Sequence, residues 1–330
     1  GVITEDEITY YKQRSKGLGA VITGAANVQD IGKGWPGELS IAHDEMIPRL
    51  SELAKAIQGE GAKAIVQIFH GGRMTSRATL SGEQPVSASA VAAERPDAET
   101  PRALSENEIK ETIQAFGEAT HRAIESGFDG IELHGANTYL IQQFFSPHSN
   151  RREDQWGGSL ENRYRFIDEL LTTVFSTVEK YAKKPFIVGY RFSPEEYETP
   201  GIRFEDTIWL LERLRETKLD YLHVSLNAYD RRARSDKYSD QSILEAVHDT
   251  IQGKIPLIGV GGIRTRKDVE QVLKYAELAA IGQQMIVDPD WAEKLLENRE
   301  DEFVTKPFEE AYKELYLPSP LYNFLKARYQ

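Results

Sequence analysis

The chain has 330 residues, 40% of them hydrophobic and 28% charged, a balance that suits a folded protein with a large core and excludes disordered and collagen-like chains. It has no cysteine, which removes disulfides, thiolate zinc sites and cysteine-held iron–sulfur clusters, and no metal site is read elsewhere in it. The net charge of −12 speaks against a nucleic-acid partner. With neither an apolar run of roughly 20 residues nor a basic-then-apolar start, the expectation is a cytoplasmic protein without a membrane partner.

In chain order, Thr4 and Glu7 have capping-box spacing and open a helix that runs to Lys16 and stops at Gly17, followed by a short apolar strand at 20–23. From Asp44, the residues Ile47, Leu50, Leu53, Ala54 and Ile57 fall at helical spacing, and a strand at 64–69 follows. Residues 74–104, with Pro85, Pro96 and Pro101, form an excursion too long for an idle connection and are expected to act as a lid or pocket wall. Ser105 and Glu108 cap a helix that ends at Gly127, and a strand at 130–133 comes next. The same alternation continues with a helix from Ser159, a strand at 186–191, a helix at 204–215 and a strand at 221–224. It ends with a helix at 239–251, a strand at 256–260, a helix at 265–275 and a strand at 278–281.

Seven continuous apolar strands, each preceded by a helix, predict a parallel sheet covered by helices. No Gly-x-Gly-x-x-Gly turn follows the first strand, and the polar residues fall at many strand ends, which favours a (β/α)8 TIM barrel over a doubly wound sheet. Such a barrel needs eight strands and this chain opens on a helix, so the first strand is expected to be missing from it. At the end of the 130–133 strand, His134, Asn137 and Tyr139 place an imidazole, a carboxamide and a phenol where they could present three donors to one small electrophile.

The stretch from Ser146 to Arg163, Ser-Pro-His-Ser-Asn-Arg-Arg-Glu-Asp-Gln-Trp-Gly-Gly-Ser-Leu-Glu-Asn-Arg, resembles the signature of the Old Yellow Enzyme family, FMN-dependent oxidoreductases built on an eight-stranded β/α barrel. Gln67 to Arg73, Gly127 to Gly130, Gly261-Gly262-Ile263 and Ile281-Gly282 share the likeness, which runs to Trp291. The resemblance implies one FMN-binding domain over 1–330. Gln67 would meet the pyrimidine edge of the flavin, Arg191 its N1 and O2, and Ala25 its carbonyl edge. Gly261, Gly262 and Gly282 would close around the phosphate. Gln283 stands where the family has a phosphate-pairing Arg, and Arg264 or Arg266 is the substitute cation to look for.

The resemblance further implies reduction of the C=C bond of an α,β-unsaturated carbonyl compound, a small enone or enal, with NADH or NADPH as reductant. His134 and Asn137 would hold the carbonyl oxygen and Tyr139 would protonate the α-carbon. The alternatives are a dienoyl-CoA reductase-like or NADH oxidase activity, or a flavin-free phosphosugar lyase or isomerase on the same barrel. A homo-oligomer is compatible with all of them.

Overall fold

An apolar run between two helices must pair its backbone with another run, and in a computed structural model of the protein these runs pair side by side. The structure describes residues 1–305, 315, 317 and 319–328, and the other positions of the expected single domain lie outside the described residues. The strands are β1 (Ala20–Ile22), β2 (Ala26–Asn27), β3 (Leu39–Ser40), β4 (Lys63–Phe69), β5 (Val86–Ser87), β6 (Arg102–Ala103), β7 (Gly130–Gly135), β8 (Ile187–Phe192), β9 (Tyr221–Val224), β10 (Leu257–Val260) and β11 (Leu278–Ala280). The main sheet runs β11-β10-β9-β8-β7-β4-β2-β3, with β1 on the first half of β4, and every pairing in it is parallel. All seven expected strands are therefore present. β7 extends to Gly135, so His134 sits inside a strand and not after its end.

The helices between them are α1 (Glu5–Gln13), α2 (Ile47–Gln58), α3 (Glu106–Glu125), α4 (Leu140–Phe145), α5 (Leu160–Tyr181), α6 (Phe204–Leu214), α7 (Ile243–Ile251), α8 (Arg266–Val272), α9 (Gln283–Val287) and α10 (Trp291–Leu296). The capping boxes at Thr4/Glu7 and Ser105/Glu108 are both formed. Several boundaries differ from expectation. α1 stops before Lys16 because Arg14 turns inward to donate to the Met285 and Ile286 carbonyls at the end of α9. Residues 44–46 are a 3₁₀ turn ahead of α2, and α7 begins only at Ile243, where the Ser242 hydroxyl caps it. Among the described residues no helix is long and apolar enough to cross a membrane.

Side chains alternate between the two faces of the sheet. The outer face joins the helices in one large core, with Val66, Ile68, Ile131, Leu133, Val188, Tyr190, Leu222 and Leu257 all buried there. A second, separate cluster on the inner face joins Ile65, Tyr221 and Ile258 with Ile22, Ile187 and Ala280. Because it brings residues of β1 and β11 together, the sheet is strongly curled. β1 and β11 are not paired with each other, however, so among the described residues the sheet is parallel and curled but open at that point, not a closed barrel.

The excursion at 74–104 is not free. β5 and β6 pair with each other, and the signature segment clamps them: Arg152 Nη1 donates to the Ala88 and Leu104 carbonyls at 2.9 and 2.7 Å, and Arg151 N donates to Ser89 Oγ at 2.8 Å. Asp154 neutralises Arg152 at 2.6 Å, and Asn150 Nδ2 ties Phe144 O to Trp156 O.

The inner face depends on one missing side chain. Tyr221, on β9, lies across β8 at Gly189, where an added Cβ would stand 2.0 Å from Tyr221 Cζ. Gly189→Ala is expected to cost about 1–3 kcal/mol by overpacking, read as a lower urea midpoint; a variant as stable as the parent would contradict this packing.

Candidate active site

Inner-face positions stack by register. Gln67, Glu132, Gly189 and Tyr221 are successive Cα partners across β4, β7, β8 and β9, and His134, Arg191, His223 and Ile258 form the next level across β7 to β10. The inner face is thus apolar at one end of the strands and polar towards their carboxyl ends, the end where ligands bind in parallel α/β proteins.

Glu132 is fully buried, and an unpaired carboxylate there would be prohibitively costly. Its Oε1 accepts Gln67 Nε2 at 2.6 Å, and its Oε2 accepts the Tyr221 hydroxyl at 3.0 Å and His223 Nδ1 at 2.8 Å. Burial alone would raise its pKa, but attraction to His223 and their hydrogen bond, followed by Arg191 and Gln67, outweigh it and hold the carboxyl at about 2. Burial and the same carboxylate push the Tyr221 phenol well up, so Tyr221 stays a neutral donor.

One level on, His134 Nδ1 accepts the Ala136 N–H at 3.4 Å, which assigns the ring hydrogen to Nε2. Burial, and then Arg191, lower its pKa to about 3 against the opposing pull of Glu132, so at neutral pH the ring is an uncharged single donor. Asn137 follows on a loop where it and Thr138 both have positive φ, 55° and 64°, an uncommon conformation for residues with side chains. The loop is held from three directions. Asn137 N donates to Ser193 Oγ at 2.8 Å, Thr138 N to Gln142 Oε1 at 3.0 Å, and Gln143 Nε2 reaches Thr138 O at 2.6 Å. The Asn137 side chain is oriented by Ser225, whose hydroxyl donates to Oδ1 at 2.9 Å while accepting Arg191 Nη2 at 3.2 Å. The amide hydrogens of Asn137 are therefore the part left to a ligand.

Tyr139 stands in an aromatic group, edge-on to His134 at 4.8 Å and to Phe69 at 4.9 Å between ring centroids, with Trp35 5.4 Å from Phe69. The Trp35 loop is pinned by Glu38, which accepts the Gly34 and Trp35 N–H groups; burial lifts the Glu38 carboxyl to about 7 in spite of them.

Two features test whether these residues suit a flavin. Arg191 Nε and His223 Nε2 are buried without a partner among the described residues, on neighbouring strands at one register level. After β10, Gly261 and Gly262 have φ of 128° and 66°, and a Cβ on Gly261 would meet the Ala228 and Tyr229 backbone at 2.8 Å, so only glycine allows that close approach. A planar group with donors and acceptors on one edge and a phosphate tail fits this set.

The expected residues do not all meet. Gln67, His134, Asn137 and Arg191 share one polar face, and Tyr139 meets it in the ring contact with His134. Ala25 is buried just after β1, while Gly282 and Gln283 are exposed at the start of α9. Gln67 does not offer its whole amide to a ligand, because Nε2 already serves Glu132. Arg266 is no substitute for the absent phosphate-pairing Arg, since its guanidinium is committed to Glu300, Leu295 O and Asn298. Glu132, Tyr221, His223, Ser193 and Ser225 were missed; the one available signal was the alternation of Tyr221, His223 and Ser225 along an otherwise apolar strand.

The buried imidazoles set the acid response. His70 and His134 both have pKa lowered to about 3, mainly by burial, whereas their unfolded value is 6.5. The unfolded chain thus binds more protons, and stability falls as pH drops from about 6.5 towards 3. Glu132 adds stability that is present above 4.5 and lost as pH falls towards 2. In urea titrations across this range, His134→Gln is expected to flatten the slope by up to about 1.4 kcal/mol per pH unit; an unchanged slope would remove His134 from the acid response.

Known proteins share the sequence and fold of this chain. Residues 1–302 match the NADH:flavin oxidoreductase / NADH oxidase family model. The chain is 44% identical to NADH:acrylate oxidoreductase of Vibrio harveyi over 98% of its own length and 33% of that protein, so it spans about a third of that relative. It is 42% identical to a probable NADH-dependent flavin oxidoreductase of Bacillus subtilis, over 98% of this chain and 87% of that one. The structure of an old yellow enzyme homologue from Zymomonas mobilis superposes with a TM-score of 0.81 at 26% identity, covering 98% of this chain and 90% of that one. The flavin-free lyase alternative falls with these matches: the chain belongs to the NADH:flavin oxidoreductase / NADH oxidase family, the Old Yellow Enzyme group of FMN-dependent enzymes that take electrons from NADH or NADPH.

Proposed function

We propose that this chain reduces the C=C bond of α,β-unsaturated carbonyl compounds, with its curled sheet read as the (β/α)8 barrel of the family. The observation that carries the proposal is the pair of fixed donors: the neutral His134 with its hydrogen on Nε2, and the Asn137 amide turned outward by Ser225. Two neutral donors on one short segment suit an oxygen on which negative charge develops, because they stabilise it without demanding a counter-charge in the ground state. The acrylate named for the Vibrio harveyi relative is an α,β-unsaturated carboxylate, which supports this substrate class.

In this reading Gln67, Arg191, Ala25, Gly261, Gly262, Gly282 and Gln283 hold FMN, and Arg191 faces the ring edge where charge gathers on reduction. When bound, FMN supplies the hydride acceptor and donor chemistry. His134 and Asn137 polarise the carbonyl, and the aromatic group of Trp35, Phe69 and Tyr139 excludes water from that side. Tyr139 delivers a proton to the α-carbon as general acid.

Tyr139→Phe is expected to slow reduction of an enone such as 2-cyclohexenone by about 10²–10⁴-fold, while anaerobic bleaching of the bound flavin by NADH or NADPH keeps its rate. Stopped-flow absorbance follows both steps, and equal loss in the two would defeat the assignment of Tyr139.

A further inference from the structure

His223 is not among the residues assigned to FMN above, yet its side chain is tightly constrained on the inner face. It lies 4% exposed on β9, Cα partner of Arg191 on β8, which is Cα partner of His134 on β7. Its Nδ1 is 2.8 Å from Glu132 Oε2. A carboxylate only accepts, so Nδ1 carries a hydrogen. Glu132 has no freedom to let the ring turn, since its two oxygens are also occupied by Gln67 and Tyr221. The imidazole is thereby locked with Nε2 on its far side, and that nitrogen is buried with no partner among the described residues. The next strand carries a second such atom, Arg191 Nε, at the same register level. A buried polar nitrogen calls for a partner, and these two, at one level on adjacent strands, are placed so that one polar group lying over that level could serve both.

We propose that His223 is a cofactor-binding residue, its Nε2 hydrogen-bonding the pyrimidine ring edge of FMN beside Arg191, with Glu132 as the positioning residue that orients it. The inference rests on the reading of Gln67 and Arg191 as the flavin face of the site. The pyrimidine edge matches the need, because it offers an N–H between two carbonyl oxygens and so accommodates both an imidazole nitrogen and a guanidinium. Glu132 then joins two flavin contacts, Gln67 and His223, through one carboxylate and sets their spacing from below.

The test is FMN binding to the apoprotein, followed by quenching of flavin fluorescence. His223→Leu is expected to raise the FMN Kd by about tenfold or more, the loss of one buried hydrogen bond. Tyr221→Phe serves as control: it also removes a donor from Glu132 but leaves His223 in place, and it is expected to shift the Kd by less than about threefold. Equal weakening in both variants, or none in His223→Leu, overturns the proposal. Should His223→Leu fail to fold, a crystal structure of the FMN-loaded parent decides, with Nε2 within hydrogen-bond distance of a pyrimidine nitrogen or oxygen as the expected result. Nε2 bonded only to water or to protein in that structure overturns it. A parent apoprotein that takes up no FMN defeats the cofactor-site reading itself, which separates the two failures.

Discussion

The interaction on which the rest of this structure depends is the burial of one carboxylate. Glu132 has no contact with solvent, and it keeps its charge because Gln67 on β4 and Tyr221 and His223 on β9 all reach it. Two of those donors come from two strands away and pass over β8, which is possible only because β8 has Gly189 under the Tyr221 ring. One carboxylate thus ties three strands and requires a glycine on a fourth. It also divides the inner face into an apolar level around Ile65 and Ile187 and a polar level towards the carboxyl ends of the strands.

That polar level is where the geometry becomes chemical. His134 and Arg191 belong to it by register, and Arg191 reaches Asn137 through the Ser225 hydroxyl. The loop that carries Asn137 and Thr138 pays for its positive φ values with contacts from β8's end and from α4. α4 is itself anchored from the next loop, since Glu196 accepts Gln142 Nε2 at 2.8 Å and Ser146 Oγ at 2.5 Å. The donors of the site are therefore oriented by neighbours that belong to β8, β9 and α4, in keeping with a site that needs fixed dipoles more than mobile side chains.

The family signature has a different task from the one its length suggests. Its Arg152 brackets the ends of β5 and β6, its Asn150 closes the turn onto Trp156, and Arg163 donates to the Phe145 and Gly158 carbonyls. The segment that makes the family recognisable is a clamp on the 74–104 excursion, and the residues that face the site lie outside it.

Seven strands and their alternation with helices were legible in the chain because a strand covered by helices is largely apolar, and glycine or proline marks its ends. The Thr4 and Ser105 caps were legible because a capping box is a local pairing. His134, Asn137, Tyr139, Gln67 and Arg191 could be marked from local motifs, since each stands at or near a strand's carboxyl end. What only the tertiary structure decided was which of these groups touch and in what state. Glu132, Tyr221, His223 and Ser225 are polar residues in strands with nothing local to separate them from packing, and their partners are 34 to 91 residues away. The outward amide of Asn137 and the withdrawal of Arg266 to Glu300 follow from such contacts across the chain, which sequence spacing does not encode.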